Sequence, residues 1–230
     1  MKFLQLTFLA VFFTACQSKE IKIPVNDNPG LHEVWNNSPV YILMKIPDQD
    51  TIADVKLGQT ISSTTWLVAA DRRLNMKQLQ PALEKVYKKR RKVSMHSDGK
   101  GRLFFSYLDS LQNKVSFVEG TKIELMPDFY NSKSYFKEYR KADPDNEKIH
   151  LFILPNQFVI NDSLTLNKDI PKIALRDSLQ SISKNYQKPK LYLNFDNRLK
   201  YQDFLNIYTF FRNDSLSRVV LSPKIFIFTP

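Results

Sequence analysis

Two stretches of this chain, 125 positions apart, carry the same layout. Trp66-Leu67-Val68-Ala69-Ala70-Asp71-Arg72-Arg73-Leu74 can be laid on Leu191-Tyr192-Leu193-Asn194-Phe195-Asp196-Asn197-Arg198-Leu199, with Asp, Arg and Leu coinciding. In each, an apolar run long enough for one buried strand stops at an acid and a short basic turn follows. Apolar residues then recur at helical spacing: Met76, Leu79, Leu83, Val86 and Tyr87 after the first, and Tyr201, Phe204, Leu205, Tyr208 and Phe211 after the second. An internal repeat of this size means two related α/β units. Three coinciding residues can also arise by chance, so the criterion is geometric: both segments must form the same strand, turn and helix.

The remaining pattern fills in around these anchors. Val40 to Ile46 reads as a first strand, and residues 47–65 as irregular with a strand near Ile52–Leu57. Pro81 falls inside the first helical pattern and is expected to kink that helix or move its start. The basic run of Lys85 and Lys88 to Lys92 at its end suits the helix dipole, with a membrane or polymer contact as the other reading. Asp98-Gly99 marks a turn, and Arg102 to Leu108 with Lys114 to Glu119 reads as a hairpin. Phe129, Tyr135, Phe136 and Tyr139 suggest a short aromatic helix, and the polar stretch 141–147 a boundary. Beyond it come a strand at Ile149–Leu154, a turn at Asn161-Asp162, a helix opened by Pro171, and closing strands at Arg218–Leu221 and Lys224–Phe228.

The N-terminus has the layout of a secretory leader. Lys2 supplies a short positive region, Phe3 to Phe13 an apolar run, and Thr14-Ala15 small residues before Cys16. The run is too short to span a bilayer, which takes about 20 residues. Phe13-Thr14-Ala15-Cys16 resembles the lipobox of bacterial lipoproteins, with Phe13 where Leu is usual. The resemblance implies cleavage before Cys16 and acylation of that residue. Cys16 is the only cysteine, so no intramolecular disulfide can form. The expected organisation is a signal peptide at 1–15, a lipidated tether at 16–39 rich in Pro24, Pro29, Gly30 and Pro39, an α/β unit at 40–142, and a second at 149–230. Gln17 lacks the Asp that retains such lipoproteins at the inner membrane, which leans towards the outer one.

Net charge is +11, of which Lys2 leaves with the leader. Export argues against nucleic acid as the partner of this charge. Anionic headgroups or acidic envelope polymers remain, beside simple solubility.

The segment from about Leu151 to Leu221 resembles the periplasmic domain of ExbD/TolR-type biopolymer transport proteins. The match rests on the apolar strand Lys190–Phe195 ending in Asp196, followed by Leu199, Tyr201 and a helix. It implies an α+β fold of one or two small mixed sheets with helices on one face, one sheet if the unit is single and two if it is duplicated. It also implies a domain that recognises envelope partners, protein or peptidoglycan, and associates with itself as a dimer. Members of that family carry an N-terminal membrane-spanning helix with a working carboxylate. This chain's only apolar stretch is the leader, so energy transduction does not carry over.

Catalytic and cofactor signatures are missing. His32, His96 and His150 have no metal-ligand spacing, the five glycines form no phosphate loop, and no Gly-x-Ser-x-Gly elbow is present. No cofactor or metal is expected. Asp71 and Asp196 are the best-placed acids, since sites in α/β folds collect at strand ends. An acid just before a helix is also an N-cap worth about 1 kcal/mol. Asp71, Asp196, Arg198 and Tyr201 are thus the candidates for partner binding or capping. The expected function is a non-enzymatic, membrane-anchored envelope lipoprotein, with a lipid-anchored enzyme or glycan-binding protein as the alternative. Replacing Cys16 with Ser is expected to release the protein from the membrane fraction or leave it unprocessed. Normal processing and membrane retention of that variant would refute the anchor.

Overall fold

The computed structural model describes residues 20–46, 50–92, 101–126, 147–161, 168–171, 174–213 and 219–230. Cys16 with its leader, the Asp98-Gly99 turn, the aromatic segment 129–139 and nearly all of the 141–147 stretch lie outside them. The fold is α+β, with two mixed six-stranded sheets and, among the described residues, three helices.

The first sheet is built on β2 (Asn37–Lys45), where Ser38, Val40 and Ile42 alternate inward as a strand's period of two requires. A hairpin partner, β3 (Ile52–Lys56), runs antiparallel to it. On its other side lies β4 (Thr65–Ala70), parallel, followed by β5 (Leu103–Asp109), parallel again. The crossover between β4 and β5 is α1 (Met76–Arg91). β6 (Lys114–Glu119) returns antiparallel beside β5, as the hairpin signal required.

The second sheet repeats the scheme. β8 (Lys148–Ile153) has the antiparallel partner β9 (Phe158–Asn161), itself paired with β10 (Lys168–Ile170). β11 (Lys190–Asp196) lies parallel to β8 and β12 (Val220–Phe228) parallel to β11. The β11–β12 crossover is α3 (Tyr201–Asn213), and α2 (Leu175–Ser183) precedes β11. The strand orders β3-β2-β4-β5 and β9-β8-β11-β12 therefore coincide, with equivalent pair directions and a helix in the same crossover.

Four expectations need correction. The segment 16–39 is not a free tether over its described part. Val25–Asn26 forms β1, parallel to the end of β5, Leu31 bridges Phe117, and the chain then enters β2. The first unit does not end before 149 in space: β7 (Glu124–Met126) crosses over to pair with β12 in the second sheet. The C-terminal runs are one strand rather than two. Between the pairs Leu191↔Leu221 and Leu193↔Ile225 the register shifts, which accommodates Pro223, a residue with no amide to donate. Pro81 does not move the start of α1. Asn75 caps that helix, its side chain accepting from the Gln78 amide while Gln78 accepts from the Asn75 amide. The hydrogen bond lost at Pro81 is the single one to the Lys77 carbonyl.

One apolar cluster runs through both units. It takes in Val40, Val68 and Phe105 from the first sheet, Leu79 and Leu83 from α1, Phe204 from α3, and Leu151, Leu193 and Ile225 from the second sheet. The junction is aromatic: Phe105 meets Tyr201, Phe204 and Tyr208 edge-on at 6.1–6.3 Å. Gly120 makes room for it, since a Cβ there would stand 2.5 Å from the Phe105 ring. A smaller cluster of Phe152, Tyr192, Phe226 and Phe228 lies on the other face of the second sheet.

Leu193 and Phe204 are both fully buried. Replacing either with Ala is expected to cost about 2–5 kcal/mol, measured by denaturant unfolding. A cost under ~1 kcal/mol at both would contradict the shared core.

Candidate functional site

The two strand ends that the sequence paired form the same turn. Asp71 Oδ1 accepts the Arg73 amide at 3.0 Å, and Asp196 Oδ1 accepts the Arg198 amide at 2.8 Å. The Leu74 amide closes on the Asp71 carbonyl at 3.2 Å, and the Leu199 amide on that of Asp196 at 3.1 Å. Each arginine then grips its own acid with two nitrogens: Arg73 Nε and Nη2 at 2.8 and 2.6 Å, Arg198 Nε and Nη2 at 3.0 and 2.5 Å. Both carboxylates are buried, and a bidentate guanidinium is the pairing that makes such burial tolerable. The acids thus cap the turns rather than the helix amides.

The turns meet each other. Asn75 and Lys200 face one another as an antiparallel bridge. The Met76 amide donates to the Leu199 carbonyl and the Tyr201 amide to the Leu74 carbonyl, both at 2.8 Å. Met76 and Tyr201 are the first residues of α1 and α3, whose amides have no partner inside their own helix. Each helix start is therefore completed by the opposite unit, through a reciprocal, two-fold-like seam.

Sequence reasoning grouped Asp71, Asp196, Arg198 and Tyr201, and the seam does bring their backbones together. Their exposure separates them. The side chain of Arg198 is 61% exposed, whereas Asp71, Asp196 and Tyr201 are each 1% exposed or less. Among the described residues the Tyr201 hydroxyl has no hydrogen-bond partner, and burial pushes its pKa far above the ordinary tyrosine range. Tyr201 is a core residue of the junction, not a surface for a partner.

Beside the seam lies a groove of about 520 Å³, which the sequence did not indicate. Its walls are the β8–β9 hairpin tip with Asn156 and Gln157, the N-terminal segment with Asn28, and the α3 face of Asp203, Asn206 and Phe210. The start of α2, at Arg176, closes one side. Helical spacing puts positions 203, 206 and 210 on one stripe. Asn26 holds the N-terminal wall in place: its amide nitrogen donates to Thr209 Oγ1 at 2.5 Å and its oxygen accepts the Asn28 amide at 2.9 Å. The only legible trace of this groove was the polar edge of an otherwise apolar α3.

The basic end of α1 is tied down in part. Lys89 Nζ donates to the Leu57 carbonyl at 2.6 Å, Arg90 to that of Ser62, and Arg91 to that of Ile123 at 3.0 Å. The Arg90 guanidinium also lies 5.2 Å over the Trp66 ring. Of the histidines, His32 pairs with Ser116 at 3.0 Å and His150 stacks on Tyr192 at 4.9 Å. Among the described residues no three His, Cys, Asp or Glu side chains gather in a metal-binding group. No protein-family model, curated protein or solved structure matches the chain.

Burial alone would raise the Asp71 carboxyl, but hydrogen bonds from the Arg73 side chain and amide and the Arg73 charge outweigh it, leaving its pKa lowered. A folded pKa below the unfolded one gives stability that is present above the unfolded value, near 4, and lost as pH falls through the folded value. Arg73→Leu removes the side-chain hydrogen bonds and the charge that hold the carboxyl down, and keeps the burial and the amide hydrogen bonds. That variant is expected to lose about 1–3 kcal/mol near neutral pH. Its acid unfolding midpoint is expected at higher pH than the parent's. Superimposable acid titrations followed by circular dichroism would disprove the coupling.

Proposed function

We propose that this chain is a non-enzymatic lipoprotein of the bacterial cell envelope, anchored by acylated Cys16. Its body acts as a binding or assembly module related to the periplasmic domains of ExbD/TolR-type proteins. The observation that carries the reading is the groove beside the seam, held open between the N-terminal segment, the β8–β9 tip and α3. It is a concave, mixed polar and apolar surface on rigid elements, the form in which proteins receive a ligand segment. The strand–Asp–turn–helix unit supports the family relation twice over, at Asp71 and at Asp196. The equivalent strand orders support a duplication of that unit. No described helix is long and apolar enough to cross a membrane. The anchor faces the periplasm, with the outer membrane favoured by Gln17.

A second reading is glycan binding, with peptidoglycan as the ligand. The amide-rich lining of Asn28, Asn156, Gln157 and Asn206 beside the Phe210 ring favours it, since amides match sugar hydroxyls and a ring matches a sugar face.

Cross-linking in intact cells followed by purification of the anchored protein tests the choice, alongside sedimentation with purified peptidoglycan. The triple variant Asn156→Ala, Gln157→Ala, Phe210→Ala is expected to lose the partner while remaining folded. A defined protein lost from the variant supports the assembly module, and lost sedimentation supports the glycan. Capture unchanged by the triple variant would remove the groove from either role.

A further inference from the structure

The N-terminal segment is fastened to the body almost as soon as it leaves Cys16. The Lys22 carbonyl accepts the Arg72 amide at 2.7 Å, and the Pro24 carbonyl accepts the Leu108 amide at 2.8 Å. Val25 exchanges two hydrogen bonds with the Gln202 side chain, at 2.9 and 2.6 Å. Glu20 lies close enough to Arg73 to act on its charge. From Cys16 to Glu20 the chain can reach at most about 14 Å when fully extended. A leash of that length cannot lift the body clear of a bilayer, and it ends at the seam.

The seam end is also basic. Lys22, Arg73, Lys77, Arg198 and Lys200 are exposed there, with Arg72 half-buried among them. Backbone contacts gather them: the Lys77 amide donates to the Asn197 carbonyl at 2.9 Å, and Arg72 to Lys22 as above. Among the described residues that these contacts join, the exposed acids are Glu20 and Asp203, while Asp71 and Asp196 are buried. Four acids against six cations leave the end net positive. α1 leads away from this end, and its 16 residues carry its own basic terminus about 24 Å off.

We propose that the body rests on the membrane through the seam, with Lys22, Arg72, Lys77 and Lys200 set against anionic lipid headgroups. This rests on acylation of Cys16. Short-range attraction between juxtamembrane cations and anionic lipid then fixes which end faces the bilayer, and it fades beyond a Debye length. The groove, which shares Asp203 with the seam end, opens close to the membrane, and the outer terminus of α1 points into the periplasm.

The single cysteine makes the test direct. An acylated Cys16 takes up no thiol probe, so Lys77→Cys, Lys200→Cys and Lys88→Cys each give one labelled position in the full-length, membrane-extracted protein. The labelled proteins are reconstituted into phosphatidylglycerol-containing vesicles with nitroxide-bearing lipid as quencher. Quenching at 77 and 200 is expected to exceed that at 88 by about twofold or more, because α1 carries position 88 roughly 16 Å further from the seam. Equal quenching at the three positions, or the strongest at 88, overturns the proposal. A contrast undiminished in all-phosphatidylcholine vesicles overturns the choice of an anionic surface. The unsubstituted chain separates the two failures. If it takes up the probe, Cys16 is free and the anchor itself fails; if it stays unlabelled while 77 and 200 are unquenched, the seam orientation fails alone.

Discussion

The structure depends on a pair of hydrogen bonds between two helix starts. An isolated helix leaves its first amides without partners, and a protein ordinarily supplies a side-chain cap or water. Here the amides of Met76 and Tyr201 find the carbonyls of Leu199 and Leu74, each across the seam. The carbonyls are presented correctly only because the Asp–x–Arg turns hold them, and the turns persist because each buried carboxylate has its own guanidinium. Turn, cap and interface are one arrangement seen from three sides. Neither unit retains a complete helix start when the other is taken away.

The same dependence explains the buried acids. A carboxylate without a partner in a core costs several kcal/mol, so a sequence places one there only where it is matched on the spot. At Asp71 and Asp196 the match comes from two residues along the chain, independent of the rest of the fold. Each turn is therefore a local contact, while the seam that uses it joins residues more than a hundred positions apart.

Local chemistry was legible in the sequence and long-range placement was not. The strands ending at Asp71 and Asp196, the β5–β6 hairpin and the helical stripe from Met76 to Tyr87 follow from spacing alone, because their signals are periodic. The cap of α1 was missed at Asn75, where Asn-x-x-Gln is a capping box hidden behind the more conspicuous acid. Proline and glycine made 16–39 read as a tether, yet edge backbone can be bonded whatever its side chains, and residues 22–31 are bonded to β5, β6 and α3. Tyr201 was grouped with the partner-binding or capping candidates, although it also opens the apolar stripe of α3. Its burial is set by Phe105, a residue of the other unit, which no pattern near Tyr201 discloses. The groove is the extreme case: its walls come from parts of the chain more than a hundred residues apart, and only the fold brings them together.

β12 follows every other described strand, and it is an inner one. It lies between β11 on one side and β7 on the other, and Phe228 closes its register opposite Asp196. Until β12 is in place, β7 and β11 have nothing between them. Long-range parallel pairing of this kind is slow and leaves sticky edges in the interval. β10, β9, β8 and β11 can pair without β12, but among the described strands β7 joins the second sheet only through it, so the first unit's chain is tied to that sheet by the last pairing.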